Sequence, residues 1–148
     1  MIGLFLSGVT AFPLTQEVNW LASYIHEGAP GIAGFILWVQ HGLNETAERH
    51  PFLFYGTDWL AFAHIVIAFL FIGPYKDPVK NIWVIEWGMI ACVLVIPLAL
   101  ICGPIRGIPF VWQLIDCSFG VVGIVPLIFC RRMIKELEAL QGSSSVRI

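Results

Sequence analysis

The sequence predicts an all-α, polytopic membrane protein with about four transmembrane helices and an N-terminal helix that is interfacial or re-entrant. Apolar residues make up 58% of the 148 positions, and only 12% are charged. The mean hydropathy is +0.84, and three apolar runs reach the roughly 20 residues that a helix needs to cross hydrocarbon. A soluble fold of this size could not cover so much apolar surface. We therefore expect residues 1–148 to form a single membrane-embedded helical domain.

Charge and cysteine usage argue against several classes of protein. With a formal net charge of -2 and no basic face, we expect no nucleic-acid partner. The four cysteines have neither a Cys-x-x-Cys pair nor a spacing suited to zinc, so no metal or cofactor is predicted. We interpret them as reduced packing residues, with a Cys102–Cys117 disulfide as the alternative. Haem would need two histidines at matched depth, and only His41 and His64 are candidates.

The first 25 residues predict a helix that does not cross the membrane alone. The apolar segment 1–14 is too short to span securely, and we expect a bend at Pro13 before the stretch 16–24. No Lys or Arg precedes Arg49, so the basic region of a secretory signal is absent. We therefore expect this segment to remain in the mature protein.

A first span is predicted over residues 29–43, but its roughly 15 residues give only about 22 Å of helix. It would need upstream residues to cross, as a helix broken at 26–30 and continued from 20–25. Gly and Pro at this break could expose backbone groups to a cavity, whereas a plain interfacial turn is the commoner structure.

Three further spans are predicted over residues 52–73, 82–103 and 109–130. The first two end at Gly-Pro pairs and the third at Arg131-Arg132. Trp or Tyr near an end of each span suits the aromatic belts at the two membrane surfaces.

The distribution of positive charge predicts that both termini are cytoplasmic. A cytoplasmic C-terminus leaves only Arg49 and Arg106 outside, and four spans return the N-terminus to the same side. Residues 131–141 repeat apolar positions at helical spacing. They predict a cytoplasmic amphipathic tail that follows the interface or contacts a partner.

Ionisable side chains inside the apolar runs are the main functional signal, because each needs a partner, a proton or a function in hydrocarbon. At a rise of 1.5 Å per residue, His64 falls near mid-span, with Asp58 about 9 Å and Asp116 about 5 to 6 Å toward the outer side of their spans. A cavity open to the outside could gather these groups with others from neighbouring helices. Its predicted members are Gln40, His41, Asp58, His64, Arg106, Gln113 and Asp116.

Helix geometry limits which of these groups can meet. Asp58 and His64 are separated by about 240° around a helix and so point to different neighbours. Asp116 lies on a face that we expect to pack inward, because glycines on it allow close helix approach. The other residues on that face are Trp112, Gln113, Gly120 and Gly123.

The predicted catalytic groups are Asp58, His64 and Asp116. A carboxyl group in hydrocarbon favours its protonated form, whereas one beside Arg106 stays ionised, so the two carboxyls could serve as acid and base. His64 could carry the proton between them. The alternative is that each carboxyl is a neutral or paired hydrogen-bonding group that joins two helices. The predicted substrate-binding residues are Trp59, Trp112, Gln113, Arg106, His41 and Glu86.

Glu86 lies about 9 Å toward the inner side of its span, apart from the other carboxyls. We expect it to pair with Lys80 or Lys76 near the inner surface. The alternative is an inner station on a proton path.

Three functions are compatible with this sequence. We favour an intramembrane site for a lipophilic small molecule, with acid-base isomerase, cyclase or hydrolase chemistry, because the ionisable groups gather in one leaflet. The first alternative is a proton-coupled transporter or channel subunit, which at this length would have to form a homo-oligomer. The second is a structural subunit of a larger membrane complex. In each case the lipid bilayer is the immediate partner.

Overall fold

The structure, a computed structural model, describes residues 1–26 and 30–145, with side chains as far as Gln141. These residues form helices and short turns with no strand, so the all-α prediction is confirmed. Most of the predicted break at 26–30 lies outside the described residues. The helices are α1 (Ile2–Ala11), α2 (Leu14–Ala22), α3 (Gly31–Arg49), α4 (Phe54–Leu70), α5 (Ile72–Lys76), α6 (Ile82–Ile105) and α7 (Phe110–Ser145).

Three helical segments of the described chain are long and apolar enough to cross a membrane: Pro51–Lys76, Ile82–Ile105 and Phe110–Gln141. They match the three longer predicted spans, which supports a membrane protein. Helix α3 is not among them, because its last two turns carry Glu45, Glu48 and other polar side chains. The fourth crossing and the cytoplasmic location of both termini stay predictions.

The chain divides into two compact units, Met1–Leu70 and Phe71–Ile148. In the first unit α1 packs against α4, and α2 packs against α3. The predicted bend at Pro13 is confirmed, since α1 ends at Ala11 and α2 begins directly after the proline. That residues 1–148 act as one domain stays a prediction.

Gly8 brings α1 into close contact with α4. A Cβ atom at this buried glycine would lie 2.6 Å from Ile65 Cγ1 and 2.8 Å from the Ala61 carbonyl oxygen. No larger residue fits there without separating the helices. This contact holds the short N-terminal helix on a candidate transmembrane helix.

A cluster of side-chain amides joins α2 to α3. Asn19 Nδ2 donates to Asn44 Oδ1 at 3.1 Å, and Asn44 Nδ2 donates back to Asn19 Oδ1 at 3.0 Å. Gln40 Nε2 also donates to Asn19 Oδ1 at 3.0 Å. The two helices are therefore connected by polar groups rather than by apolar packing alone.

In the second unit α6 and α7 form an antiparallel hairpin through a short turn at Gly107, whose φ is +70°. Gly120 of α7 lies directly against the backbone carbonyl of Cys92 in α6. A Cβ at Gly88 would lie 3.2 Å from Leu127 Cδ1. A Cβ at Gly123 would likewise lie 3.2 Å from Cys92 Sγ. The glycines on the face of Asp116 therefore do allow close helix approach, as predicted.

The predicted tail 131–141 continues α7 without a break. Ile134 on this segment is buried, and Lys135 Nζ forms a 2.9 Å ion pair with Glu138 Oε2. All four cysteines of the chain are free, so the alternative Cys102–Cys117 disulfide is not formed.

Candidate functional site

The residues of the predicted outer cavity divide between the two units. His41, Asp58 and His64 belong to Met1–Leu70, whereas Arg106 and Asp116 belong to Phe71–Ile148. The structure therefore defines two local sites, each built within one unit. One cavity that contains all of these groups stays a prediction.

The second unit contains an apolar groove of about 350 Å³ between α6 and α7, which we call the hairpin groove. One wall comes from the last turns of α6 and the other from the first turns of α7, because the two helices are antiparallel. Its polar side chains are Arg106 and Asp116. The remaining lining residues are Val95, Leu98, Ala99, Cys102, Gly103, Ile108 and Phe119.

Arg106 and Asp116 are the ionisable side chains of the hairpin groove, and they form no ion pair with each other or with another side chain in the described part of the chain. Arg106 is exposed and follows the end of α6, where its backbone N–H donates to the Cys102 and Gly103 carbonyls at 3.0 and 3.1 Å. Asp116 is half-buried in α7. Both side chains line the groove and are therefore placed to contact a molecule in it.

Gln113 is buried beside the hairpin groove and has a structural role. Its side chain is 4% exposed, and Nε2 donates to the Ile108 carbonyl at 2.8 Å. It packs on Gly103, where a Cβ would lie 2.6 Å from Gln113 Cγ. This amide fixes the turn between α6 and α7, and it does not line the groove. Trp112 is half-buried and is likewise not a lining residue.

The first unit contains a second groove, of about 340 Å³, which we call the aromatic groove. It is lined by Asp58 and by four aromatic side chains. Three of these lie on α4 with Asp58, and Phe12 comes from the turn between α1 and α2. The α4 rings are those of Tyr55, Trp59 and Phe62.

The aromatic rings on α4 form a perpendicular series. The ring centroids of Tyr55 and Trp59 are 6.0 Å apart with an interplanar angle of 89°, and those of Trp59 and Phe62 are 6.1 Å apart at 87°. All three rings are exposed, with exposed fractions of 53 to 63%. Their faces are therefore available to a ligand or to lipid.

Neither of the two predicted histidines, His41 and His64, lines the aromatic groove with Asp58. His64 is half-buried and its Nδ1 atom has no hydrogen-bond partner among the described residues. It does not line the aromatic groove, which agrees with the predicted angle between His64 and Asp58. His41 is exposed on α3. Neither ring has a contact in the described structure that assigns it a role in catalysis.

Glu86 has a different partner from the one expected. Arg131 Nε of α7 donates to Glu86 Oε1 at 2.9 Å, so the expected pairing with Lys80 or Lys76 is wrong. Lys80 instead pairs with Asp77, at 3.2 Å. The hairpin brings the start of α6 beside the end of the apolar part of α7, a proximity that sequence spacing does not reveal.

Asp77 lies outside the candidate spans, and its pKa is lowered from the usual value. The main cause is the backbone N–H of Lys80, which donates to the Asp77 carboxylate at 3.2 Å, and the Lys80 ammonium adds to it. This carboxylate caps the turn before α6 and has no connection to either groove.

Metal binding has no support in the described residues, since no three His, Cys, Asp or Glu side chains converge there. Sequence reasoning also missed the amide cluster of Asn19, Gln40 and Asn44, because single amides on separate helices carry no spacing signal. Comparisons with protein-family models, with curated proteins and with solved structures found no match to this chain.

Proposed function

We propose that this membrane protein binds a lipophilic small molecule in the hairpin groove and acts on a polar group of that molecule by acid-base chemistry. One observation carries the proposal. Asp116 and Arg106 line the same apolar groove, and neither is neutralised by an ion pair in the described chain. An ionisable side chain inside a membrane-spanning helix, as Asp116 would be, is energetically costly and commonly marks a functional site.

The size and lining of the hairpin groove suit an amphipathic molecule. Small-molecule sites commonly enclose about 300–1,000 Å³, are mainly apolar and carry a few polar groups that fix the orientation of the ligand. The aliphatic side chains of α6 and Phe119 would contact a hydrocarbon skeleton, and the charged pair would contact its polar end. A sterol-, terpene- or quinone-like compound has this form.

The two charged groups have complementary chemistry. As a carboxylate, Asp116 can remove a proton from a carbon beside a carbonyl group and return it to a second carbon of the same molecule. The Arg106 guanidinium can stabilise the negative charge that develops on the carbonyl oxygen between these steps. The result is an isomerisation that needs no oxidant. Asp58 and His64, which belong to the first unit, have no part in this proposal.

The first experiment is mass spectrometry of lipophilic compounds that copurify with the full chain in mild detergent. We expect a bound lipophile in the wild type and about tenfold less in Asp116→Asn, since hydrogen bonds to charged groups contribute about 1.5–3 kcal/mol. Glu136→Gln is the matched control, because Glu136 is exposed on the same helix away from the groove. Equal amounts of bound lipophile in Asp116→Asn and Glu136→Gln would refute the proposed site in the hairpin groove.

A steric variant tests the groove without changing its charge. Ala99→Phe places a ring in the groove, whereas Ala91→Phe places the same ring on an exposed position of α6. We expect only Ala99→Phe to lose the lipophile. Both proteins must retain the helical circular dichroism of the wild type for the comparison to count.

The acid-base step has its own test. After incubation of the loaded protein in D₂O, we expect deuterium in the recovered lipophile from the wild type and none from Asp116→Asn. If the wild type binds the lipophile but incorporates no deuterium into it, the acid-base step is refuted and only the binding function remains.

The same purification separates the proposal from the alternative functions. A ligand-free protein that arrives with stoichiometric partner chains would indicate a structural subunit, and a ligand-free homo-oligomer would favour a transporter. The structure gives one reason to favour the transporter alternative less. Glu86 would be the inner station of its proton path, but the Glu86 carboxylate already pairs with Arg131.

A further inference from the structure

The aromatic groove of the first unit combines a carboxylate with several exposed aromatic faces. Aromatic rings carry a negative quadrupole on their faces and attract cations within about 6 Å of the ring centroid. Asp58, Tyr55, Trp59 and Phe62 of α4 line the groove, together with Phe12 of the α1–α2 turn. Both kinds of group favour the same ligand charge, which is positive.

The first unit has no Lys or Arg available to neutralise Asp58. In Met1–Leu70 the sequence contains a single Lys or Arg, which is Arg49. Its Nη1 atom lies 3.2 Å from Glu45 Oε1, so this cation already has a partner. Among the described residues Asp58 has no hydrogen bond or ion pair from its side chain. No side chain of the described residues therefore supplies Asp58 with a counter-ion.

The exposed aromatic faces favour one class of cation. The planes of Tyr55 and Trp59, and of Trp59 and Phe62, stand nearly perpendicular, at 89° and 87°. Consecutive rings therefore present their faces in perpendicular directions, and each ring is more than half exposed. An alkylated ammonium is rounded, weakly hydrated and easily moved from water to an aromatic site, and Trp is the best aromatic partner for it. A strongly hydrated metal ion would need oxygen ligands that this groove does not offer.

We infer that the aromatic groove binds an alkylated ammonium group, with Asp58 as its counter-ion and Tyr55, Trp59 and Phe62 as its aromatic walls. This inference does not rest on the function proposed for the hairpin groove. Tyr55 and Trp59 lie toward the first end of the candidate span Pro51–Lys76, and Tyr and Trp at the ends of spans commonly contact lipid headgroups. The ammonium could therefore belong to a choline lipid of the bilayer or to a free organic cation.

Ligand-observed NMR with choline tests the charge requirement on the full chain in a neutral maltoside detergent. The matched probe is 3,3-dimethyl-1-butanol, which has the shape of choline but no charge. We expect saturation transfer to choline and none to the neutral alcohol. Equal transfer to both probes would overturn the inference, because the groove would then recognise apolar shape alone.

Variants locate the binding to the groove. We expect Asp58→Asn and Trp59→Leu each to weaken choline binding by about tenfold, the loss that corresponds to about 1.4 kcal/mol. The controls Glu48→Gln and Trp38→Leu remove the same kinds of side chain from exposed positions of α3. Asp58→Glu keeps the charge and should retain binding. If Asp58→Asn and Trp59→Leu bind choline as tightly as the controls, choline does not bind at the aromatic groove and the inference is refuted.

Two membranes distinguish the sources of the ammonium. Nanodiscs of phosphatidylcholine and of digalactosyldiacylglycerol carry no net charge, but only the first offers an ammonium headgroup. Choline binding that is strong in the galactolipid and suppressed in phosphatidylcholine would identify the lipid headgroup as the occupant. Equal binding in both would identify a free organic cation. Absence of choline binding to the folded wild type in the galactolipid would overturn the inference.

Discussion

Arg131 of α7 donates a hydrogen bond of 2.9 Å to Glu86 of α6, and this ion pair joins the two helices of the hairpin far from their connecting turn. At the turn, Gln113 packs on Gly103 and bonds the Ile108 carbonyl. Polar contacts therefore fix the alignment of α6 and α7 at both ends, while glycine contacts bring the helices together between them.

A double-mutant cycle measures the coupling between Glu86 and Arg131. Both side chains are nearly half exposed, at 43% and 44%, so we expect a coupling free energy of about 0.2–1 kcal/mol. The measurement is SDS-induced unfolding of the Glu86→Gln, Arg131→Gln and double variants in mild detergent. The charge swap Glu86→Arg with Arg131→Glu should recover most of the loss. A coupling of zero would mean that this ion pair does not contribute to the alignment.

Gly120→Ala should separate α6 from α7. The new Cβ would collide with the backbone carbonyl of Cys92 and lie 2.7 Å from Val95 Cγ1, and a backbone atom cannot move aside. Overpacking of this kind costs about 1–3 kcal/mol, measurable by SDS-induced unfolding. Gly42→Ala is the control, because nothing lies within 4 Å of its added Cβ. Equal stability of the two variants would contradict the close contact.

Asn19→Ala should destabilise the first unit. It removes the acceptor for both Gln40 and Asn44, and it leaves part-buried amide donors without a partner. Such a loss costs about 1–3 kcal/mol. Gln16→Ala on the exposed side of α2 is the control and should change stability little. If the two variants have the same thermal unfolding midpoint by circular dichroism, the amide cluster does not hold α2 on α3.

His64→Phe should leave the protein as stable or make it more stable. The buried Nδ1 atom has no partner among the described residues, and an unsatisfied buried polar atom costs about 1–3 kcal/mol. Phenylalanine removes that atom and keeps a ring of similar shape. His41→Phe, at an exposed position, is the control. A marked loss of stability in His64→Phe alone would show that the imidazole has a partner in the membrane.

The Asp77 carboxyl should titrate below its usual pKa of 3.8, because the folded state stabilises its charged form. The stabilising contact is therefore present above that value and is lost as the pH falls through the lowered pKa. Carbon-detected NMR of the labelled carboxyl gives the midpoint. Lys80→Ala should raise it only in part, since the larger cause is the backbone N–H of residue 80. A full return to 3.8 would assign the effect to the ammonium.

The sequence alone determined the fold class and the positions of the three candidate spans. A helix needs about 20 consecutive apolar residues to cross the hydrocarbon of a bilayer, and such a run can be read from the sequence without knowing any tertiary contact. The bend at Pro13 was equally local, since a proline interrupts helix hydrogen bonding wherever it occurs. The inward face of Asp116 followed from helical periodicity.

Only the tertiary structure decided which side chains meet. The partner of Glu86 lies 45 residues away, and the amide pair Asn19–Asn44 spans 25 residues. Such contacts depend on how antiparallel helices align, and the alignment is set by glycine contacts and turn geometry rather than by local spacing. The grooves beside Asp58 and beside Asp116 likewise depend on which helices pack together within each unit.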